Sequence, residues 1–238
     1  VLRLKRENMR FEWKVFAPCV ALGIAPFAMQ ATESVLVLCF NSSLLRYGGD
    51  LAVGAMTILS SIMQFAMLPM QGLTQGGQPI ISYNYGANNP QRVKRAFQLQ
   101  TIVCFSYSTL MWAAVMLVPS LFVSIFTNDP ALASISVWAL RIYMTGVLLM
   151  GLQVSCQQAF IAFGNSKVSA FLAVFRKIIV LIPLIYILPQ FLDDQVFAVF
   201  LAEPIADTIA VATTVTLFII NFKKLLHQME AAQKTTGL

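Results

Sequence analysis

Charge is what this sequence has least of. Only 11% of its 238 residues are Asp, Glu, Lys or Arg, against about a quarter in soluble domains, which excludes an ordinary water-soluble globule. Histidine is nearly missing: His227 stands alone near the C-terminal end. No His/Cys cluster, phosphate-binding Gly loop with its Lys, or nucleophile elbow accompanies it, so the sequence indicates no enzyme class, no metal site and no cofactor. The four cysteines, Cys19, Cys39, Cys104 and Cys156, lie apart in apolar surroundings without metal spacing or a paired-loop pattern, and read as small buried hydrophobes. Strict alternation of polar and apolar residues is also lacking, which excludes membrane-spanning strands.

What is present is apolar and continuous. The chain is 58% hydrophobic with a mean hydropathy of +0.75, and its apolar stretches fall at 15–41, 52–81, 97–122, 137–163, 168–190 and 196–220. Each meets the length of about 20 residues that a helix needs to cross hydrocarbon, so the fold class expected is an all-α membrane protein with six transmembrane helices. The basic excess, formally +6, follows one side of these spans. Arg3, Lys5, Arg6, Arg10 and Lys14 precede the first span, Arg92, Lys94 and Arg95 lie between the second and third, Lys167 between the fourth and fifth, and Lys223, Lys224 and Lys234 after the sixth. The other three connections carry only Arg46. Basic residues stay cytoplasmic, so both termini are expected inside, and the charge reads as membrane topology, with the lipid bilayer and not nucleic acid as partner. Residues 1–14 (VLRLKRENMRFEWK) read as an amphipathic cytoplasmic linker, 15–220 as the transmembrane unit and 221–238 as a cytoplasmic tail; the whole reads as the middle of a longer polypeptide.

Short loops separate the spans. RYGGD (46–50) turns on its glycines with Asp50 as a cap, Asp129 precedes Pro130 at a helix start, and Asn89 precedes Pro90 at another. Prolines interrupt the helices at 18, 26, 69, 79, 119, 183 and 204, and Pro204 stands between two acids, Glu203 and Asp207.

The polar residues inside the spans are the functional candidates. At 100° per residue, Thr57, Ser61, Gln64, Gln71, Gln75 and Gln78 fall within an arc of roughly 100° on the second span. Carboxamides facing lipid leave donors and acceptors unpaired, so this stripe faces protein or water, by interhelical hydrogen bonding or as the wall of an aqueous cavity; four Gln on one face favour the cavity. Gln30, Glu33, Ser34 and Asn41 form a matching face on the first span, and Gln153, Cys156 and Gln157 on the fourth. Glu33, near mid-span with no base close in sequence, is a candidate proton or cation site or a structural hydrogen-bond partner; Glu203 and Asp207 in the sixth span are further ion-coupling candidates. Arg176 matches Asp207 in depth and is expected to pair with it, structurally or as a latch, while Lys177 is expected to snorkel to the cytoplasmic interface.

The segment GLTQGGQPIISYNYGANNPQRVKRAF (72–97) resembles the end of the eighth helix and the following cytoplasmic loop of bacterial multidrug and toxic compound extrusion (MATE) transporters. The resemblance continues through LRYGGDLAVGAM (45–56), IFTNDPALA (125–133), AFGNSKVSAFLAVFRKIIVLIPL (162–184) and AEPIADTIA (202–210). It implies one six-helix lobe, the carboxyl-terminal half, of a twelve-helix antiporter in a bacterial cytoplasmic membrane, with the amino-terminal lobe as partner. Such proteins export organic, often cationic, compounds against sodium ions or protons. The resemblance places Glu33 in the seventh helix, where some members carry an acid proposed to bind the coupling cation; their second acid, an Asp in the tenth helix, has no counterpart between 137 and 163 here. Gln64, Gln71 and Gln75 would line the cavity, with Gly76, Gly77 and Pro79 letting the helix end bend. A lipid-linked saccharide flippase of the same superfamily and a non-transporting membrane scaffold are the alternatives; the acids Glu33, Glu203 and Asp207 argue against the flippase, which needs a basic cavity.

Overall fold

The structure, a computed structural model, describes residues 13–236, with the side chains at 14, 15, 17–30, 166, 167 and 232–236 excepted. The linker expected at 1–14 therefore lies almost wholly outside the described residues, as do the side chains of Gln30 and Cys19. Every regular element among the described residues is helical.

The first element, Trp13–Gly86, holds 74 residues. A straight helix of that size would measure about 110 Å, nearly four times the thickness of the hydrocarbon layer. It breaks at Gly49, whose φ of 64° and ψ of −161° suit glycine and hardly any other residue. The arms are α1 (13–48) and α2 (50–86). They fold back on each other: one cavity is walled by Glu33, Leu36, Phe40 and Asn41 from α1 and by Met56, Ser60, Gln64 and Met67 from α2, rows that run in opposite directions from Gly49.

Helix α3, Pro90–Leu117, starts where Asn89 accepts a hydrogen bond from the Arg92 amide at 3.1 Å. It ends sooner than the apolar run to 122 suggests. Pro119 forces Val118 out of the helical region (φ −131°), and a separate turn, Pro119–Ser124, follows. Helix α4, Pro130–Ala162, is capped by Asp129, which accepts from the Ala131 amide at 2.9 Å, and tightens into a 3-10 turn at Met144–Gly146. Helix α5 comprises Ser166–Val174, a π-helical stretch Phe175–Leu181, Ile182–Ile187 and a closing 3-10 turn Leu188–Gln190. Helix α6, Gln195–Thr236, carries Pro204 inside it and continues through the residues expected to form a tail.

Five described helical stretches are long and apolar enough to cross a membrane, and the break at Gly49 divides the first, Ala31–Gly86, into two. The six crossings bury a large apolar core near the Gly49 turn, including Leu44, Leu59, Leu140, Ile185 and Phe200. A second, aromatic core around Phe160, Phe163 and Phe218 takes in Phe222, Leu225 and Met229, so the start of the tail is packed against the bundle. Leu38, Phe65, Leu110, Leu117, Phe171 and Ile179 point outward, as lipid-facing side chains do.

Candidate functional site

Between the two cores the bundle holds charge. Glu203 and Asp207 lie one turn apart on α6 and therefore on one face. Pro204 between them has no amide hydrogen to donate, and Thr208 Oγ1 donates to the Pro204 carbonyl at 2.8 Å. Opposite them, Arg176 Nη2 donates to Glu203 Oε1 at 2.7 Å and forms a second ion pair with Asp207. Asp207 is fully buried. Its carboxylate occupies a notch left by Gly146 in the 3-10 turn of α4, where a Cβ would collide with it.

Lys177 does not snorkel. It forms an ion pair with Glu33 on α1, so two adjacent bases of α5 serve two different helices. Both lie in the π-helical stretch, whose wider turn alters the angle between successive side chains and is a frequent mark of functional sites. Desolvation explains the correction: Lys177 retains only 16% side-chain exposure, and a carboxylate within reach satisfies it better than bare hydrocarbon along the way to the interface.

The pairs open onto a cleft. One cavity, about 270 Å³, is lined by Glu33, Gln71, Gln153, Gln157, Arg176, Lys177 and Glu203 with Met63, Met67, Met150 and Tyr143. The adjoining one, about 690 Å³, shares Glu33, Gln71, Glu203 and Tyr143 and adds Asn41, Thr57, Ser61 and Gln64. Five expected cavity residues thus converge, Asn41, Gln64, Gln71, Gln153 and Gln157, and with them the ion-coupling candidates Glu33 and Glu203. Thr57 and Ser61 donate to the carbonyls one turn back, at 3.1 and 2.8 Å, and so need no partner across the cleft.

Two of the expected site residues lie apart from these cavities. Gln75 is exposed and lines neither cavity, and Asp207 sits behind the wall, reached only through Arg176. Gly76, Gly77 and Pro79 lie inside α2, which stays helical to Gly86. Gly77 makes room for the Gln100 carboxamide of α3. Sequence reasoning misses Tyr143, Gly146 and the role of Lys177; adjacent bases in an apolar run signal two buried partners, but not which ones.

In electrostatic terms the cluster sets two bases, Arg176 and Lys177, against three acids, Glu33, Glu203 and Asp207. With all five ionised it lacks one positive charge. A site of that kind, opening on a cleft of Gln, Met and Tyr, suits one monovalent cation or proton beside a weakly polar guest.

The MatE family model matches residues 26–187, well over half the chain. The chain belongs to the MatE family. Among curated relatives, the multidrug export protein MepA of Staphylococcus haemolyticus (strain JCSC1435) is 24% identical over 215 residues, covering 87% of this MatE chain and 47% of the relative. A solved multidrug resistance MATE family transporter of the MOP superfamily in an inward-facing conformation superposes with a TM-score of 0.86 at 17% identity, over 93% of this chain and 51% of that one. A MOP superfamily transporter from Pyrococcus furiosus Vc1 gives 0.81 at 17% identity, over 93% and 50%. At such identity the structural likeness is one of fold. This MatE chain spans about half the length of the relatives it matches.

Proposed function

We propose that the chain is the carboxyl-terminal lobe of a secondary active antiporter, which exports organic, often cationic, drugs or toxic compounds in exchange for sodium ions or protons. The observation that carries this reading is the unbalanced cluster at the cleft, three carboxylates against two bases. Its missing positive charge is the coupling ion. Glu33 and Glu203 face the cleft and exchange with it, whereas Asp207 holds Arg176 in place from behind. Lys177 is a tethered counter-ion for Glu33: an arriving cation or proton releases it, and its departure alters the contact between α1 and α5. Met63, Met67, Met150 and the glutamines form a compliant wall for flat cationic guests. The amino-terminal lobe closes the cleft from the other side, and positive-inside charge puts both termini in the cytoplasm of a bacterial cell. An anionic cleft does not suit the pyrophosphate of a lipid-linked saccharide.

The test is Glu33→Gln in the full-length transporter, which preserves shape but fixes a neutral side chain. The expected outcome is normal abundance in the membrane and lost dye efflux under imposed proton and sodium gradients. Efflux at the wild-type rate under both gradients would show that Glu33 is a structural residue.

A further inference from the structure

On the far side of α2 from the polar cleft lies a second groove, of about 490 Å³, within the range of ~300–1,000 Å³ usual for small-molecule sites. Leu73, Gly77, Ile80 and Asn84 supply one wall from α2; by helical geometry they lie roughly 180° from Gln64 and Gln71. The other wall is α3, with Leu99, Val103 and Cys104 along its length and Arg92 and Arg95 at its mouth.

Three features mark this groove as a receptor and not merely a seam. First, it is amphipathic along its axis: both arginines are exposed at the helix start, and beyond them α3 lines it with Ala96, Leu99, Val103 and Cys104, with Gln100 as the one polar residue. No acid lines it, and α3 contains no Asp or Glu at all, so the arginine charge is uncompensated on this helix. Second, Gln100, only 8% exposed, lines the groove with neither Nε2 nor Oε1 hydrogen-bonded among the described residues. Buried carboxamides are normally satisfied, so this one points to an absent partner. Third, Gly77 supplies the recess that holds it, since a Cβ there would overlap Gln100 Oε1.

From these we infer that the groove holds one anionic phospholipid. Arg92 and Arg95 take the phosphate, Gln100 Nε2 donates to an ester carbonyl, and an acyl chain lies along Leu73, Leu99 and Val103. Gln100 sits about 7.5 Å further along the helix than Arg95, so the donor lies deeper than the arginines, in the order in which a phospholipid presents phosphate, ester and chain. Basic pockets between spanning helices at a membrane face bind anionic headgroups in this way. The site is independent of ion coupling and does not rest on the proposed transport.

Native mass spectrometry of the full chain, stripped of lipid and titrated with dioleoyl phosphatidylglycerol or dioleoyl phosphatidylcholine, tests it. The expected result is at least tenfold preference for phosphatidylglycerol, lost in Arg92→Gln/Arg95→Gln and kept in Lys94→Gln, which removes a neighbouring charge outside the groove. Gln100→Leu should weaken both lipids alike, since both carry esters. Equal losses in Lys94→Gln and the double arginine variant would mean diffuse surface attraction and overturn the proposal. Displacement of phosphatidylglycerol by millimolar inorganic phosphate would overturn it as well, by showing a phosphate site with no use for the chains. Protection of Leu99→Cys from a lipid-soluble thiol reagent after delipidation would put protein over the groove, with the same consequence.

Discussion

Around Phe218, α6 is held by rings of other helices, Phe97 at a centroid distance of 4.6 Å and Phe160 at 5.2 Å, with Phe222 of α6 itself stacked beside it at 5.1 Å. Eleven residues earlier on the same helix, around Asp207, it is held by charge, through Arg176 and the notch at Gly146. The aromatic end satisfies itself. Its contacts carry no formal charge and require nothing from outside. At the charged end each group depends on another for its desolvation cost to be met, and the count of charges does not close. One end of the helix is thus an uncharged anchor, and the other is the place where the proposed coupling ion would change which contacts are favourable. Their separation, about 16 Å along the axis, lets the charged end rearrange while the anchor holds.

The sharpest way to break this comparison is to remove one partner of the buried pair. Arg176→Met should cost about 3–5 kcal/mol, because Glu203 and Asp207 are both left charged and buried, whereas Asp207→Leu should cost less, because Arg176 keeps Glu203, and the double variant should lose less than the two single losses added together. Detergent melting of the three variants measures the coupling, and additive losses would contradict it. At the anchor, Phe218→Ala should cost about 3 kcal/mol by lost packing, with no recovery from a second substitution at distant Asp207. Melting of the pair Phe218→Ala and Asp207→Leu checks that the two ends are energetically separate. The smallest stability effect should come from Lys177→Met. Glu33 is half exposed, so solvent screens the pair and the loss should stay below about 1 kcal/mol. Its signature lies elsewhere: a Glu33 freed from its tether should bind a monovalent cation more tightly than wild type, as read by sodium titration calorimetry.

The crossings of the bundle are legible in the sequence because hydrocarbon length and continuous apolar runs leave little choice, and the ends at Asn89 and Asp129 are legible because capping is local. The meeting of Arg176 with Asp207 follows from matching depth on antiparallel helices. Glu203 joining them is the natural extension, one turn away on the same face. What is not legible depends on lateral placement. Glu33 and Lys177 are 144 positions apart, and nothing in either segment says which neighbours α5 will touch. The same holds for Gly146 and Gly77: glycines in apolar helices read as packing or hinge positions, while here each makes room for one polar side chain of another helix. Conversely, Gly72 and Gly76, spaced as a packing motif, have no neighbour within 4 Å of where a side chain would begin. A stripe of glutamines predicts a wet face, but not where the stripe leaves the cleft, as it does at Gln75.

Three carboxylates against two bases leave room for one positive charge. The direct measurement is the stoichiometry of cation uptake by the purified chain, counting protons with a pH indicator and sodium by calorimetry, for wild type and for Glu203→Gln, which balances the cluster at two against two. The expected result is one proton or one sodium ion per wild-type chain and none for Glu203→Gln, with the variant at least as stable to melting. Equal uptake by the two proteins would contradict it.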